Sequence, residues 1–329
     1  MSLTVGDGKI LDASSTGGDL KKRETDLDLF RKEIVNALTR ERKFILVSQK
    51  LDDLFTHVDS MDSFAIEKVK DIIRVLDIQM SEFSTLCGDD INFSNLLLNI
   101  EKRKQEIKDI SDRKIVEEGG EHLGNMWATI LQANPELRQV EVRLGKPKSG
   151  ETLSHTGGYF ADPSGFDSAP TIYVVPGNEE HYRKLLVSRK KSVEIVAGLL
   201  GLKAEEVTAE ILQSFIFAHE LGHAHDYIIN FKNNNDLELS PSEAWKQKNR
   251  VEMASLPLPN VNPATLNNMI ENGLIEQAVK DSDVLREKYV VDGVVDVARL
   301  VDDQNIAYRS LPKEQYADEF AVRALKNNP

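Results

Sequence analysis

Apolar side chains recur every three or four residues through the first third of the chain, which is the spacing of one buried face of an α-helix. Such stripes are stable only when they pack against each other, so the pattern predicts three or four helices in a bundle over residues 21–117. Residues 1–20 are mostly small or polar, have little to bury, and are predicted to be a flexible leader. The recurring sets are Leu27, Phe30, Ile34 and Leu38; Leu51, Leu54, Phe55 and Val58; Val69, Ile72 and Leu76; and Leu96, Leu97, Ile100 and Ile107.

The pattern changes after Gly119-Gly120. Residues 140–144 alternate apolar and charged side chains, which is the two-residue period of a half-buried strand. A second strand is predicted at 171–175, because an apolar run there is bounded by two prolines. Residues 158–161 are a candidate to pair with it, so we predict a small, mostly antiparallel sheet.

Helical spacing then returns at 195–200 and again at 207–229. A helical bundle that precedes a region of mixed strands and helices is typical of an α+β protein with two domains. We therefore predict an α+β fold in which the bundle is followed by a second domain at 118–329.

Composition narrows the classes of partner and compartment. The 41 Lys and Arg residues against 54 Asp and Glu residues give a formal net charge of -13, which repels nucleic acid and anionic membranes. Cys87 is the single cysteine, so neither an intrachain disulfide nor a thiolate metal cluster is expected. Neither a signal peptide nor a long apolar span is visible. We predict a cytoplasmic protein that binds neither nucleic acid nor membrane.

A candidate metal site begins with two histidines four residues apart. On a helix, His219 and His223 lie on one face, one turn apart, and can present two imidazole nitrogens to the same Zn²⁺. Glu220 is next to His219 and suitably placed to take a proton from an attacking water. The apolar residues 215–218 predict a buried helix that exposes only this face to a cleft. The alternative is a pair of hydrogen-bonded core histidines beside an ion-paired glutamate.

A catalytic zinc needs a third protein ligand and an open position for water. The metzincin pattern would require Gly and then His or Asp where Asp226 and Ile229 stand, and Cys87 lies among the predicted bundle helices, far from a deformylase-type position. A glutamate ligand is usually followed four residues later by an aspartate that holds a ligand histidine. Among the glutamates downstream of His223, only Glu314 meets this condition, through Asp318. The alternative for Glu314 is a solvated charge on a helix face.

The two segments that carry these residues are His219-Glu220-Leu221-Gly222-His223 and Glu314-Gln315-Tyr316-Ala317-Asp318-Glu319-Phe320-Ala321. Together they resemble the gluzincin metallopeptidases, in particular compact cytoplasmic forms such as the minigluzincins and the ImmA/IrrE-like proteins. The resemblance covers about 120–329. It implies a zincin-like domain, with zinc held by His219, His223 and Glu314, with Glu220 as general base and with Asp318 supporting a ligand histidine. It also implies a sheet whose edge strand pairs with the substrate backbone.

Two residues nearby are weaker candidates. Tyr308 could donate a hydrogen bond to the oxyanion that forms during amide hydrolysis, although a tyrosine there is as often a packing residue. Asp226 shares the helix face of the two histidines and could support one of them, or it could be a surface charge. His225 points to the opposite side and is predicted to be hydrogen-bonded rather than a ligand.

An insertion at about 230–305 separates the two halves of the candidate site, with helices predicted at 264–280 and 295–303. It could be a lid over the cleft or a surface elaboration.

The resulting expectation is a zinc-dependent metalloendopeptidase that hydrolyses a protein or peptide substrate. One alternative is a zinc-binding regulatory or interaction module with little or no peptidase activity, which acts through the helical N-terminal domain. Another is a helical adaptor whose site is vestigial and binds no zinc. Bound zinc would exclude the adaptor. Hydrolysis of a peptide substrate would then distinguish the peptidase from the regulatory or interaction module.

Overall fold

The computed structural model describes residues 2–5, 9–12, 20–39, 42–87, 90–119, 121–145, 156–163, 169–175, 179–234 and 236–326. These residues are mostly helical and include a few short strands, which is compatible with the predicted α+β class. The chain divides into two compact units, Met1–Glu118 and Gly119–Pro329. Within the described ranges, no helix has both the length and the hydropathy that crossing a lipid bilayer requires.

The first unit is built on helices. Its described helices are α1 (Leu20–Thr39), α2 (Phe44–Phe55), α3 (Ser63–Cys87) and α4 (Ile91–Gly119). The apolar stripes of these helices meet in one core, in which Ile34, Leu51, Leu76 and Ile100 are fully buried. Asp90 precedes α4 and accepts a hydrogen bond from the backbone N–H of Asn92 at 2.7 Å, which satisfies a donor at the helix start.

Two short strands lie in the segment predicted as a flexible leader. Strands β1 (Ser2–Val5) and β2 (Lys9–Asp12) pair antiparallel, with Leu3 opposite Leu11. The sequence analysis predicted no strand there, because runs this short give too few alternations to indicate a period of two. The predicted flexibility of residues 1–20 stays a prediction.

The second unit surrounds one central helix with a small sheet and further helices. Its described strands are β3 (Glu141–Leu144), β4 (Gly158–Ala161), β5 (Thr171–Val174), β6 (Val290–Val291) and β7 (Val294–Val295). Its described helices are α5 (Glu121–Ala133), α6 (Glu179–Ser188), α7 (Lys190–Leu200), α8 (Ala209–Tyr227), α9 (Pro241–Ala254), α10 (Pro263–Glu271), α11 (Ile275–Lys280), α12 (Asp283–Tyr289), α13 (Val297–Arg309) and α14 (Pro312–Lys326).

The three-stranded sheet has the order β3-β5-β4, so β4 is an edge strand. Strand β4 pairs antiparallel with β5, as predicted, and the rings of Tyr159 and Tyr173 stack across this pair with centroids 4.6 Å apart. Strand β3, in contrast, runs parallel to β5. The expectation of a mostly antiparallel sheet is therefore corrected to a mixed one. The period of two identifies a strand but not its direction, and β4 is inserted in the chain between β3 and β5.

Helix α8 is the centre of the second unit. The hydroxyl of Thr208 caps its start and accepts a hydrogen bond from the backbone N–H of Ile211 at 3.2 Å. Helix α8 contacts β4, β5, α6 and α14, so apolar residues on several of its faces are buried, among them Phe215, Phe217 and Leu221. A helix that is buried on more than one side holds its side chains in fixed positions, which suits a site built on it.

The insertion has its own apolar core, which includes Leu266, Val279, Tyr289 and Leu300. The single helix predicted at 264–280 is wrong, because the chain forms α10 and α11 instead. They are separated at Gly273, whose φ of 65° is left-handed and ends a right-handed helix. The helix predicted at 295–303 corresponds to α13, which continues to Arg309.

The side-chain amide of Gln304 fixes the loop before α10. Its oxygen accepts a hydrogen bond from the backbone N–H of Leu258 at 2.7 Å, and its nitrogen donates to the carbonyl oxygens of Leu258 and Val261 at 3.1 and 2.7 Å. Gln304 is only 1% exposed, so water cannot replace these bonds.

We expect Gln304→Leu to lower the free energy of unfolding by about 2–4 kcal/mol, because each backbone group left buried without a partner costs about 1–3 kcal/mol. Urea denaturation followed by circular dichroism measures the change. The same substitution at the exposed Gln277, Gln277→Leu, is the control and should change stability by less than about 0.5 kcal/mol. Equal effects at the two positions would contradict the role given to Gln304.

Candidate metal centre

Three buried side chains converge between helices α8 and α14. His219, His223 and Glu314 each offer one ligand atom, and these atoms all lie within 4.8 Å of one another. The Nε2 atom of His219 is 3.2 Å from one carboxylate oxygen of Glu314, and the Nε2 atom of His223 is 3.6 Å from the other. The structure thus brings together the three ligands named from the sequence, although 90 residues separate His223 from Glu314.

These separations fit a single metal ion. Ligand atoms about 2.0–2.1 Å from one tetrahedral zinc ion stand about 3.3–3.4 Å apart, and the three candidate atoms lie within 4.8 Å of one another, which is compatible with this spacing. The exposed fractions are 6% for His219, 8% for His223 and 2% for Glu314, so these polar groups are nearly cut off from water. Buried ionisable groups are costly unless they are paired or bind a metal, and two imidazoles with one carboxylate form a set that metals bind.

A carboxylate and a guanidinium lie behind His219. The Nδ1 atom of His219 is 2.8 Å from Oδ1 of Asp318, off the line of an ideal hydrogen bond. The same carboxylate oxygen accepts a hydrogen bond from the guanidinium of Arg309, which also lies over the ring of Phe215 with 5.7 Å to the centroid. Asp318 therefore orients the imidazole as expected for the partner of a metal ligand, and Arg309 orients Asp318 in turn.

The electrostatics of the cluster favour a proton on the imidazole of His219 when no metal is bound. Burial alone lowers the pKa of His219, but the carboxylates of Asp318 and Glu314 outweigh it and raise that pKa to about 9. Burial likewise raises the pKa of Glu314, whereas the charge of His223 and the hydrogen bonds from both imidazoles hold it well below its usual range. A divalent cation that binds here must displace a proton from the imidazole pair.

Glu220 lies in the same cleft as the ligand cluster and is 9% exposed. Strand β4 packs closely against this part of α8. A Cβ atom added to Gly158 would lie 3.2 Å from Cγ of Glu220 and 2.9 Å from a methyl carbon of Ile216. The absence of a side chain at position 158 therefore lets the edge strand run beside Glu220.

Tyr308 lines the cleft at the end of α13. Burial, followed by the negative charge of Glu314 and hydrogen bonding to it, raises the pKa of the phenol well above its usual range. The hydroxyl therefore keeps its proton near neutral pH and can act as a hydrogen-bond donor. The predicted role of Tyr308 as a donor to an oxyanion stays a prediction.

The cleft itself has a volume of about 360 Å³. Beyond the ligand cluster, its walls come from β4, from α6 and α7, and from the Asn262–Ala264 segment at the start of α10. Part of the insertion thus borders the cleft, and Gln304 holds the loop that leads to this segment.

Asp226 does not support a ligand histidine. Although it is 1% exposed, its carboxylate accepts a hydrogen bond from Asn230 and lies 3.7 Å from Nζ of Lys248. No hydrogen bond joins it to His219 or His223 among the described residues. The helix-face argument from the sequence is corrected here, because Asp226 lies one turn beyond the cluster, where Asn230 and Lys248 are its nearest polar partners.

His225, as predicted, is hydrogen-bonded on the opposite side of α8. Its Nδ1 atom is 2.7 Å from the hydroxyl of Tyr316, and its Nε2 atom is 2.8 Å from a carboxylate oxygen of Glu136. The imidazole therefore links α8 to α14 and to the turn before β3, and it takes no part in the cluster.

Helices α8 and α14 touch at a glycine. A Cβ atom on Gly222 would lie 2.7 Å from Cα of Ala317 and 3.0 Å from the backbone oxygen of the same residue. These are backbone atoms that cannot turn aside, so only glycine permits this spacing. No role was predicted for Gly222 or Arg309, because each acts through a contact between two separate helices that the spacing of residues within one helix does not reveal.

The chain resembles no known protein closely enough for a match. No protein-family model matches it, and searches of curated proteins and of solved structures find no match. The proposals for metal and reaction therefore rest on the geometry and chemistry of the cluster.

Gly222→Ala should lower both stability and metal affinity. The added methyl group forces α14 away from α8, which costs about 1–3 kcal/mol and moves Glu314 and Asp318 relative to His219. Denaturation and titration with a metal and a chromophoric chelator measure the two effects.

Gly198→Ala is the matched control, because a Cβ atom at this helical glycine meets nothing within 4 Å. It should leave metal affinity unchanged and raise stability by up to about 1 kcal/mol, since alanine is the better helix former. If Gly222→Ala behaved in the same way, the close approach of the two helices would not set the ligand geometry.

Metal affinity should rise with pH until the pKa of about 9 of His219 is reached. Because the proton on His219 must leave, affinity should increase by about tenfold per pH unit below that value.

The same raised pKa of His219 stabilises the metal-free fold fully below the unfolded value of 6.5, and this contribution is lost as the pH rises through about 9. Chelator competition at several pH values, with thermal unfolding of the metal-free protein, tests both. An affinity that did not change between pH 7 and the pKa of about 9 would contradict the protonated cluster.

Proposed function

We propose that the second unit is a zincin-like domain and that this chain is a zinc-dependent metallopeptidase of the gluzincin type. The observation that carries the proposal is the convergence of His219, His223 and Glu314 in a cleft that Glu220 also lines, with Asp318 behind one ligand. Two histidines and one glutamate are the protein ligands of known zinc peptidases, in which a fourth position stays open. A purely structural zinc site would instead be closed by a fourth protein ligand.

The choice of zinc rests on the ligand set and on the small size of the cluster. Imidazole nitrogens together with one carboxylate suit Zn²⁺, whereas Ca²⁺ and Mg²⁺ prefer oxygen ligands in larger numbers. The chemistry that bound zinc supplies in such a site is polarisation of the scissile carbonyl and acidification of the attacking water.

The protein side chains carry out the proton transfers. Glu220 takes a proton from the attacking water and delivers it to the amine that leaves, which makes it first a general base and then a general acid. Tyr308 donates a hydrogen bond to the oxygen of the scissile carbonyl as negative charge develops on it. Its raised pKa supports this role, because an ionised phenol could not donate.

The substrate is a protein or peptide segment in extended form. Strand β4 is the edge of the described sheet and contributes Gly158, Tyr159 and Phe160 to the cleft wall. The unpaired backbone groups of an edge strand bind a peptide by adding it to the sheet. The closeness of β4 to Glu220 supports this mode of binding, because a peptide added beside β4 would lie near the general base.

Two substitutions separate metal binding from catalysis. Glu314→Ala should lose zinc, because it removes the only carboxylate among the three ligands. Glu220→Gln should keep zinc and lose about 10²–10⁴-fold in hydrolysis rate, because only the proton transfers are affected. The measurements are elemental analysis of untagged protein purified without added metal, and cleavage of a proteome-derived peptide library followed by mass spectrometry.

The controls are the same changes at exposed glutamates of the same two helices, Glu319→Ala on α14 and Glu210→Gln on α8. Both should retain zinc and activity. Full hydrolysis by Glu220→Gln would overturn the mechanism. Zinc bound by the wild type without cleavage of any peptide would favour the regulatory or interaction module instead.

A further inference from the structure

One wall of the cleft is mostly apolar and contains a single cation. Arg189 stands at the start of α7 and lines the cleft together with Val193 and Val196 of that helix and Leu185 of α6. Ser192 is the other polar residue of this wall. A charged group in an apolar wall fixes the orientation of a bound ligand and favours ligands of opposite charge.

The cations that line the cleft differ in how they are paired. The guanidinium of Arg309 is hydrogen-bonded to Asp318, and Nζ of Lys313 is 3.9 Å from a carboxylate oxygen of Glu314. The guanidinium of Arg189 has one hydrogen-bond partner among the described residues, the hydroxyl of Ser192 at a distance of 3.4 Å. Arg189 is therefore the cleft cation that has no ion pair with a carboxylate of the described chain.

The position of Arg189 is costly for an unpaired cation. Burial, and then the positive charge of Arg309, lower its pKa to about 10. Electrostatic interactions with Tyr308, Glu314 and Glu220 oppose this only in part. Arg189 is half-buried, and partly shielding a guanidinium from water without a carboxylate at contact distance is unfavourable. Such a group is typical of sites in which the missing anion arrives with the ligand.

We propose that Arg189 binds a carboxylate of the substrate within the cleft, so that peptides carrying a carboxylate near the scissile bond are preferred. The planar guanidinium can hold both oxygens of a carboxylate at once. The apolar neighbours Leu185, Val193 and Val196 suit the carbon atoms that carry it. The carboxylate is either the C-terminal one or that of an acidic side chain. This inference rests on the proposed peptidase function, because it assigns a substrate group to the same cleft.

Hydroxamate dipeptides test the inference by binding rather than by turnover. Four probes share one metal-binding hydroxamate: Leu-Ala with a free carboxylate, Leu-Ala amide, Glu-Ala amide and Gln-Ala amide. The first two compare a terminal carboxylate with its amide, and the last two compare an acidic side chain with its amide. Dissociation constants are measured by calorimetry on the zinc-loaded full chain, for the wild type and each variant.

In one of the two pairs, the wild type should bind the carboxylate about 10- to 100-fold more tightly than its amide, as expected for a charge-assisted pair in a partly buried site. Arg189→Met should remove this preference and leave zinc content and amide affinity unchanged. Arg189→Lys should keep part of it, because the charge remains while the fork is lost. Arg183→Met, at an exposed arginine of α6, should keep all of it.

No preference for either carboxylate in the wild type, or a preference that survives in Arg189→Met, would overturn the inference. An equal loss of affinity for carboxylates and amides in Arg189→Met would also overturn it, since Arg189 would then only support the electrostatics of the metal cluster. Peptide cleavage by the wild type is measured in parallel. A preference for the carboxylate without peptide cleavage would contradict the peptidase function and support the carboxylate site at Arg189. Peptide cleavage without this preference would support the peptidase function and contradict the carboxylate site.

Discussion

The close approach of α8 and α14 is the constraint on which the rest of the site depends. Gly222 lies between the two ligand histidines, and its missing side chain lets the backbone of Ala317 come within contact distance. Ala317 in turn lies between Glu314 and Asp318. One helix crossing therefore positions the candidate ligands and the carboxylate behind them. The two helices are packed so closely there that one added methyl group would not fit. Tightly packed interiors transmit such small displacements rather than absorbing them.

The crossing also concentrates charged and polar groups that are almost fully buried in the wall of the cleft. Glu314 and Asp318 are buried beside two imidazoles, and Arg309 neutralises the outer carboxylate. Without a metal, the cluster can reduce its unfavourable energy only by holding a proton, as the raised pKa of His219 indicates. A divalent cation resolves the same conflict more completely, because it brings the positive charge that three inward-facing ligands leave unbalanced. The burial of the cluster and the identity of its ligand atoms thus both favour a divalent cation.

The sequence predicted what depends on local spacing. His219, Glu220 and His223 follow from helix geometry, and the four helices of the bundle follow from apolar stripes. Glu314 and Asp318 required both a spacing argument and a family resemblance. Contacts between separate helices were not predictable. The hydrogen bond from Arg309 to Asp318, the lack of an ion pair at Arg189 among the described residues and the contact at Gly222 all depend on how the helices pack against one another. The parallel pairing of β3 was missed because alternation carries no direction, and Asp226 was misplaced because two residues can share a helix face without touching.

Strand β4, at the edge of the mixed sheet, has a consequence for target choice. In the proposed peptidase, a substrate that adds to this edge must itself be extended and have its own backbone groups unpaired. A segment held in a helix already satisfies those groups internally and presents none of them. The backbone conformation of a target would then limit cleavage before its side chains do. The targets of such a cleft would be linkers, frayed ends and locally unfolded loops. The thermodynamic stability of a target would matter as much as its sequence.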